Sequence, residues 1–201
     1  LHFPDWRRAI SMGNARQKQR KHQANQAKLQ LLTDALNPGE ALPCSLAPLK
    51  EQLLPCVKRL HKARLPVNYS DDYFQDALSS PWCMTASHQG ILVGALICKE
   101  MEGGLRVQSL VAEVPRRGIG SKLLKALVQR AQAKGILEFS LHVHVRNQAA
   151  IALYDSMGFR TSITKSNYYH RSAATLEAPL DAHFMVKTLA VDEPSGAIPA
   201  V

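Results

Sequence analysis

Val114-Pro115-Arg116-Arg117-Gly118-Ile119-Gly120-Ser121, followed by Lys122-Leu123-Leu124-Lys125-Ala126-Leu127-Val128, is the stretch on which the reading of this chain turns. Two glycines two positions apart let the backbone turn so that successive N–H groups point inward, because glycine enters left-handed conformations without a Cβ clash. A helix begins at once. Its first N–H groups have no intrahelical acceptor and lie at the positive end of the helix dipole. With the full charges of Arg116 and Arg117 beside them, these groups form a cradle for an anion such as phosphate. The arginines alone would read as a solvated charge pair; the adjoining Gly-Ile-Gly favours phosphate.

Working outward, the helix predicted over 119–134 ends at Gly135, with Lys134 favourable at its C-terminal dipole. Residues 139–145 then alternate. Phe139, Leu141, Val143 and Val145 share one face, and Ser140, His142 and His144 the other, the signature of a half-buried strand. A helix over 149–157 closes at Gly158, a strand is expected over 159–169, and a last strand over 182–190. Before the glycine loop, strands are expected over 83–88, 90–99 and 106–113, punctuated by turns at Gln89-Gly90 and Glu102-Gly103-Gly104. Leu53, Leu54, Val57 and Leu60 recur at helical spacing, with Pro55 placed for a first turn. A loop at 65–69 leads to a short helix over 71–78, and residues 41–47 read as an edge strand because they contain Pro43. The order predicts an α/β fold: one mixed, partly antiparallel central sheet with helices on both faces.

The totals fit one such domain with extensions: 201 residues, 46% of them apolar, and a net charge of +9. The charge is uneven. Residues 1–37 hold seven Lys/Arg and two Asp and have little apolar content before Leu29. They read as a basic, disordered or partly helical extension. A domain is expected over 38–190, after Asn37-Pro38-Gly39, and a flexible tail over 191–201. The extension would meet nucleic acid weakly through phosphate contacts, or would be the remnant of an organelle-targeting peptide. Residue 1 is leucine, which reads as a start that has been lost or processed. Cys44, Cys56, Cys83 and Cys98 show neither a C-x-x-C pair nor metal-ligand spacing. Free thiols in a reducing, cytoplasmic setting and no metal site are therefore expected. No apolar run approaches the length of a membrane span.

The glycine loop, its helix and Tyr154-x-x-x-Gly158-Phe159 together resemble the Gcn5-related N-acetyltransferase superfamily. Three further segments narrow this to the NatE type, also called San. They are Lys58-Arg59-Leu60 with Leu65-Pro66-Val67-Asn68-Tyr69 and the helix after it; Leu141-His142-Val143 with Asn147 and Tyr154; and Asn167-Tyr168-Tyr169-His170-Arg171 with Asp181-Ala182-His183. The resemblance covers about residues 50 to 190. It implies an acyltransferase that moves acetyl from acetyl-CoA to the free N-terminal amine of nascent or finished proteins, those starting with Met and a hydrophobic residue. Partners would be a larger acetyltransferase complex and the ribosome. The alternatives are a lysine or small-amine acetyltransferase, or a catalytically weakened adaptor subunit.

By the same resemblance, acetyl-CoA lies between the strands at 106–113 and 139–145, against Leu110 and Val111. Its pyrophosphate meets Arg116, Arg117, Gly118, Ile119, Gly120 and Ser121, and Asn147 and Tyr154 meet the pantetheine and the thiolate. Leu65, Pro66, Val67 and Tyr69 line the pocket for the first substrate residue, while Gln108, Tyr168, Tyr169 and Arg171 hold its backbone. His142 matches a histidine that acts as base through a water. Histidine suits that task because its ordinary pKa, about 6.5, lies near neutrality. His144 shares the face as a second candidate. The chain departs from the pattern twice. Pro115, which has no N–H, opens a loop one or two residues short. The family's catalytic tyrosine falls on Arg106 or Gly104, depending on the alignment.

Overall fold

The computed structural model describes residues 6–37, 39–170, 176 and 178–190. A long helix α1 (Trp6–Asp34) precedes strand β1 (Ser45–Pro48), a 3-10 turn (Glu51–Leu53), α2 (Leu54–Arg64) and α3 (Asp71–Ser79). Three strands follow, β2 (Met84–His88), β3 (Ile91–Met101) and β4 (Gly104–Ala112), then α4 (Ile119–Gln132), β5 (Glu138–His144) and α5 (Gln148–Ser156). β6 (Arg160–Lys165) and β7 (Ala182–Thr188) complete a seven-stranded sheet ordered β1-β2-β3-β4-β5-β7-β6. The α/β architecture expected from the sequence is the one observed.

Local chemistry explains the elements. Pro55 sits in the first turn of α2, where its missing N–H costs no hydrogen bond. Ser70 caps α3 by accepting from the Tyr73 N–H, and Asp71 and Asp72 favour its positive end. Leu123, Leu124 and Leu127 of α4 are fully buried at helical spacing. They join one core layer with Phe139, Leu141 and Phe159 on one side of the sheet. A second layer, with Val57, Leu60 and Phe74, packs α2 and α3 against Ala95, Ile97 and Val111. Truncating a leucine in such a layer typically costs about 2–5 kcal/mol.

The sheet changes character at its centre. β4 and β5 run parallel, whereas the other neighbouring pairs are antiparallel. β4 and β5 are in register only over Leu105–Val107 and Phe139–Leu141. Beyond that point β4 stays with β3 as far as Ala112, and β5 stays with β7 as far as His144. The two strands therefore splay, and their facing backbone groups are left without strand partners.

Three expectations are corrected in detail. The stretch before Asn37 is helical from Trp6 to Asp34, and its end is anchored. Leu29 is 2% exposed within the first core layer, and Thr33 is buried. Residues 41–44 run beside the glycine loop, where the Leu42 N–H donates to the Arg117 carbonyl, so the edge strand starts only at Ser45. The strand expected to reach Tyr169 ends at Lys165. There Asn167 takes a positive φ of 55° and its N–H donates to the Asp181 carboxylate at 2.8 Å, which turns the chain. The tail at 191–201 and Arg171 lie outside the described residues.

Candidate active site

The splay opens a cleft. Val107, Gln108, Ser109 and Leu110 of β4 form one wall, and His142, Val143 and His144 of β5 the other. Leu65, Pro66, Val67 and Tyr69 close one end, with Tyr169 and Leu176 beside them. Asn147, Ala150 and Tyr154 contribute from the α5 side. Segments scattered from residue 65 to residue 176 thus meet at one gap in the sheet.

His142 is the chemically distinctive group in that gap. Its ring stacks on Tyr168 with centroids 4.2 Å apart and planes 10° apart, and it leans on Phe184 at 4.9 Å. Its Nε2 is buried and has no hydrogen-bond partner among the described residues. Burial, then the cations Lys165 and Arg106, lower its pKa to about 4. At neutral pH the ring is therefore uncharged. His144 lies in the same wall of the cleft. Its Nδ1 accepts from the Arg146 N–H at 3.2 Å, so the neutral ring carries its proton on Nε2, which is also buried and unpartnered among the described residues.

Tyrosine hydroxyls surround the cleft. Burial pushes Tyr69 up to about 12, with a further push from Tyr168. Tyr154 and Tyr169 are also raised, first by burial and then by neighbouring tyrosines. All three remain protonated donors at neutral pH. Tyr69 stacks on Tyr73 at 4.4 Å. Asn147 caps α5 by accepting from the Ala150 N–H through its side-chain oxygen, which leaves its NH2 as the donor available to a ligand.

The glycine loop lies at the C-terminal end of β4. Gly118 is the N-cap of α4 at φ +73°, and Arg116 is also left-handed at φ 58°. A Cβ on Gly120 would stand 3.2 Å from Leu153 of α5, so glycine keeps α4 close to that helix. Arg116 is exposed and has no partner among the described residues. Arg117 departs from the expected phosphate contact. Its guanidinium donates to the carbonyls of Thr33, Asn37 and Glu40, so its side chain is committed to protein. Val111 and Ile119 are buried core residues, and only their backbones can meet a ligand.

Gly104 and Arg106 are the two places for the family tyrosine, and the geometry separates them. A Cβ on Gly104 would meet the Glu138 carbonyl at 2.4 Å, so no side chain fits there. Arg106 pairs with Ser140 two residues before His142, and its guanidinium lies 5.8 Å from the Phe184 ring. Sequence reading missed the buried trio His61, Ser109 and Tyr73 beside the cleft wall. The His61 Nδ1–H donates to the Val57 carbonyl at 2.9 Å, so its Nε2 accepts from Ser109 Oγ at 2.8 Å; Ser109 in turn accepts from the Tyr73 hydroxyl at 2.8 Å. His61 lies on the predicted helix, four residues after Val57 and seven after Leu54, so its spacing placed it on the buried face and only its polar type hid it.

Among the described residues no group of three or more His, Cys, Asp or Glu could hold a metal ion. None of the described helices is long and apolar enough to cross a membrane. All four cysteines are free, and three are buried.

A parallel strand pair that opens beside a glycine-capped helix, with a histidine in the opening, makes a cleft suited to an anionic ligand and to charge developing on a carbonyl oxygen. Comparison with known proteins gives the family. The profile of the Acetyltransferase (GNAT) family matches residues 50–159. N-alpha-acetyltransferase 50 of Danio rerio is 33% identical over 141 residues, 66% of this chain and 81% of that protein. The probable N-acetyltransferase san of Drosophila melanogaster is 32% identical over 66% of this chain and 74% of its own length. Among solved structures, Arabidopsis thaliana Naa50 in complex with the bisubstrate analogue CoA-Ac-MVNAL superimposes with a TM-score of 0.64 at 30% identity, covering 73% of this chain and 99% of that one. The chain belongs to the GNAT acetyltransferase family and is an N-acetyltransferase that draws on acetyl-CoA.

Proposed function

We propose that the chain acetylates the free α-amine of protein N-termini, and that its preferred substrates start with Met followed by a hydrophobic residue. The observation that carries this reading is the cleft itself. A His142 Nε2 with no hydrogen-bond partner among the described residues shares the cleft with the Leu65-Pro66-Val67-Tyr69 loop and Tyr169, and the phosphate-type loop follows the β4 wall of that cleft. The Arabidopsis relative supports it, because its analogue joins CoA to a peptide that begins Met-Val.

In this reading Leu65, Pro66 and Val67 receive the Met side chain, while Tyr69, Gln108, Tyr168, Tyr169 and Arg171 position the peptide backbone. The backbone N–H groups of residues 116–121 and the Arg116 side chain hold the pyrophosphate. Leu110 and the Val111 backbone line the carrier, and Asn147 donates to the pantetheine. The amine nitrogen attacks the thioester carbonyl carbon, the N–C bond forms and the C–S bond breaks. Unpaired N–H groups of the splayed strands face the charge that develops on the carbonyl oxygen. The amine proton passes through a water to His142 Nε2, and Tyr154 protonates or hydrogen-bonds the departing thiolate. A pKa near 4 makes His142 a weak base. A weak base suffices, because the nitrogen proton becomes strongly acidic once the N–C bond forms.

The adaptor reading draws on one observation, the cation Arg106 beside His142 at a place where the family resemblance calls for a tyrosine. Acetyl-CoA binding without turnover would favour it. The reduced cysteines fit a cytoplasmic setting, and the acid-poor α1 fits contact with ribosomal RNA or a larger complex. The test compares a Met-Leu peptide, its N-blocked form and an internal-lysine peptide with acetyl-CoA. Acetylation of the free Met-Leu peptide alone is expected. Faster acetylation of the lysine peptide would overturn the assignment.

A further inference from the structure

The two arginines of the glycine loop are neighbours in sequence but differ in what they touch. Arg116 is exposed. Arg117 reaches back to the end of α1, and its fork donates to Thr33 O at 3.1 Å, Asn37 O at 2.6 Å and Glu40 O at 3.2 Å. These carbonyls belong to the last turn of α1 and the turn after it, where a helix leaves its acceptors unsatisfied and favours a cation. The turn is itself tied. Glu40 accepts from the Asn37 backbone and side chain, and Leu42 N–H donates to Arg117 O at 3.0 Å. Ala41 lies beside Gly118, 3.3 Å from where a Cβ would stand.

The other end of the loop is held by the same helix. The buried Glu113 carboxylate accepts from Gln26 of α1 at 3.1 Å and from Arg64, the last residue of α2, at 2.7 Å. Between these anchors Arg116, a residue with a Cβ, holds φ 58°. Such strain persists only where surrounding structure fixes it. The matched family segment, residues 50–159, contains Glu113 and Arg117 but excludes α1 and the turn after it, so the partners they grip there lie outside what the family profile covers.

We propose that Arg117 and Glu113 are positioning residues that make α1 a structural part of the acetyl-CoA cradle: the helix grips both ends of the shortened loop and holds its N–H groups in binding geometry. The inference rests on the reading of residues 116–121 as the pyrophosphate site. Arg117 then serves the carrier through its grip on α1 rather than through its charge.

The experiment measures acetyl-CoA affinity by calorimetry, and KM and kcat with the Met-Leu peptide, for Arg117→Ala, Arg117→Lys and a chain lacking residues 1–40, which removes all three carbonyl partners of Arg117, alone and combined with Arg117→Ala. A lysine keeps the charge but cannot span three carbonyls. Arg117→Lys should therefore weaken acetyl-CoA about tenfold, as much as Arg117→Ala, with kcat and peptide KM nearly unchanged. In the shortened chain Arg117→Ala should cost little more, because its partner is gone. Retained affinity in Arg117→Lys, or additive losses, would overturn the proposal and return Arg117 to direct phosphate contact. The lysine comparison needs no truncation and decides the matter if the shortened chain fails to fold. Absence of acetyl-CoA binding by the parent would instead sink the cradle reading itself.

Discussion

Two histidines, one buried behind a wall of the cleft and one half-buried in the opposite wall, differ in a way that separates structure from chemistry. His61 is 1% exposed, and both ring nitrogens are bonded, to the Val57 carbonyl and to Ser109. His142 is half-buried, stacked on Tyr168, and its Nε2 has no partner among the described residues. Burial lowers the pKa of both. The shift alone therefore does not mark a catalytic group. What distinguishes His142 is a ring nitrogen with no hydrogen-bond partner among the described residues, on a ring kept neutral by burial and then by the cations Lys165 and Arg106. His61 is saturated and holds β4 to α2.

The sharpest way to break this comparison is to remove each ring in turn and read different quantities. His142→Ala should lower kcat for the Met-Leu peptide by about 10²- to 10⁴-fold, the usual cost of a general base. Acetyl-CoA affinity and the thermal midpoint should move little. The fractional loss should stay constant across pH, because the fraction of neutral amine scales both rates alike and His142 takes its proton only after the N–C bond has formed. A parent-like rate at pH 7 would make His142 a second structural histidine and move the base to His144.

His61→Ala should do the reverse. It opens a cavity in the core layer beneath α2 and leaves the Val57 carbonyl and Ser109 short of a partner. Together these should cost about 3 kcal/mol of folding stability. Denaturant unfolding reads this directly. Kinetics of the folded fraction should stay within a few-fold of the parent. A catalytic loss as large as that of His142→Ala, without a stability loss, would erase the distinction.

Acid pH tests both rings at once. Each has a folded pKa below the ordinary value of about 6.5, so between that value and about 4 the unfolded chain binds more protons than the folded one. Stability is then full above pH 6.5 and declines as pH falls towards 4. The thermal midpoint should be lower at pH 5 than at pH 7.5, and His142→Gln should recover part of the difference. The rate should carry a different signature. With His142 uncharged down to about pH 4, the acid limb of kcat/KM belongs to the substrate amine alone. It should fall about one decade per pH unit below the amine pKa, near 8. A steeper limb with a second inflection near 6.5 would show that His142 titrates as an ordinary histidine.

The sequence carried the fold a long way because its signals were periodic or conformational. Alternation over 139–145 exposed β5, leucine spacing exposed α2 and α4, and Gly118 marked the entry to α4. The site was legible through spaced short motifs, and the splay brings most of those residues to one cleft. What could not be read depended on single contacts. Leu29 and Leu36 fall seven apart at and just past the end of an otherwise polar helix, too short a run to mark a buried face. Arg117 looks like Arg116 until the α1 carbonyls come within reach. The strand carrying Tyr168 and Tyr169 reads as continuous until Asn167 turns left-handed and swings Tyr168 over His142. Long-range partners, not local propensity, decided each of these.

The smallest expected effect probes the quiet side of the comparison. In the trio that saturates His61, the Tyr73 hydroxyl donates to Ser109 Oγ, which in turn donates to the imidazole. Tyr73→Phe removes that one donor and keeps the ring, its stacking on Tyr69 and the Ser109–His61 bond. Ser109 keeps its own donor role and loses only one bond that it accepted, so no buried donor is orphaned. The cost should be about 1 kcal/mol, the net worth of one hydrogen bond. Ser109→Ala removes the hydroxyl that both neighbours use and should cost more, because His61 Nε2 and the Tyr73 O–H then lose their partner. Neither change touches His142, so kcat should hold in both. If Tyr73→Phe lowered kcat tenfold while leaving the denaturation midpoint in place, the trio would be part of the proton path, and His61 would have to be counted with His142 rather than against it.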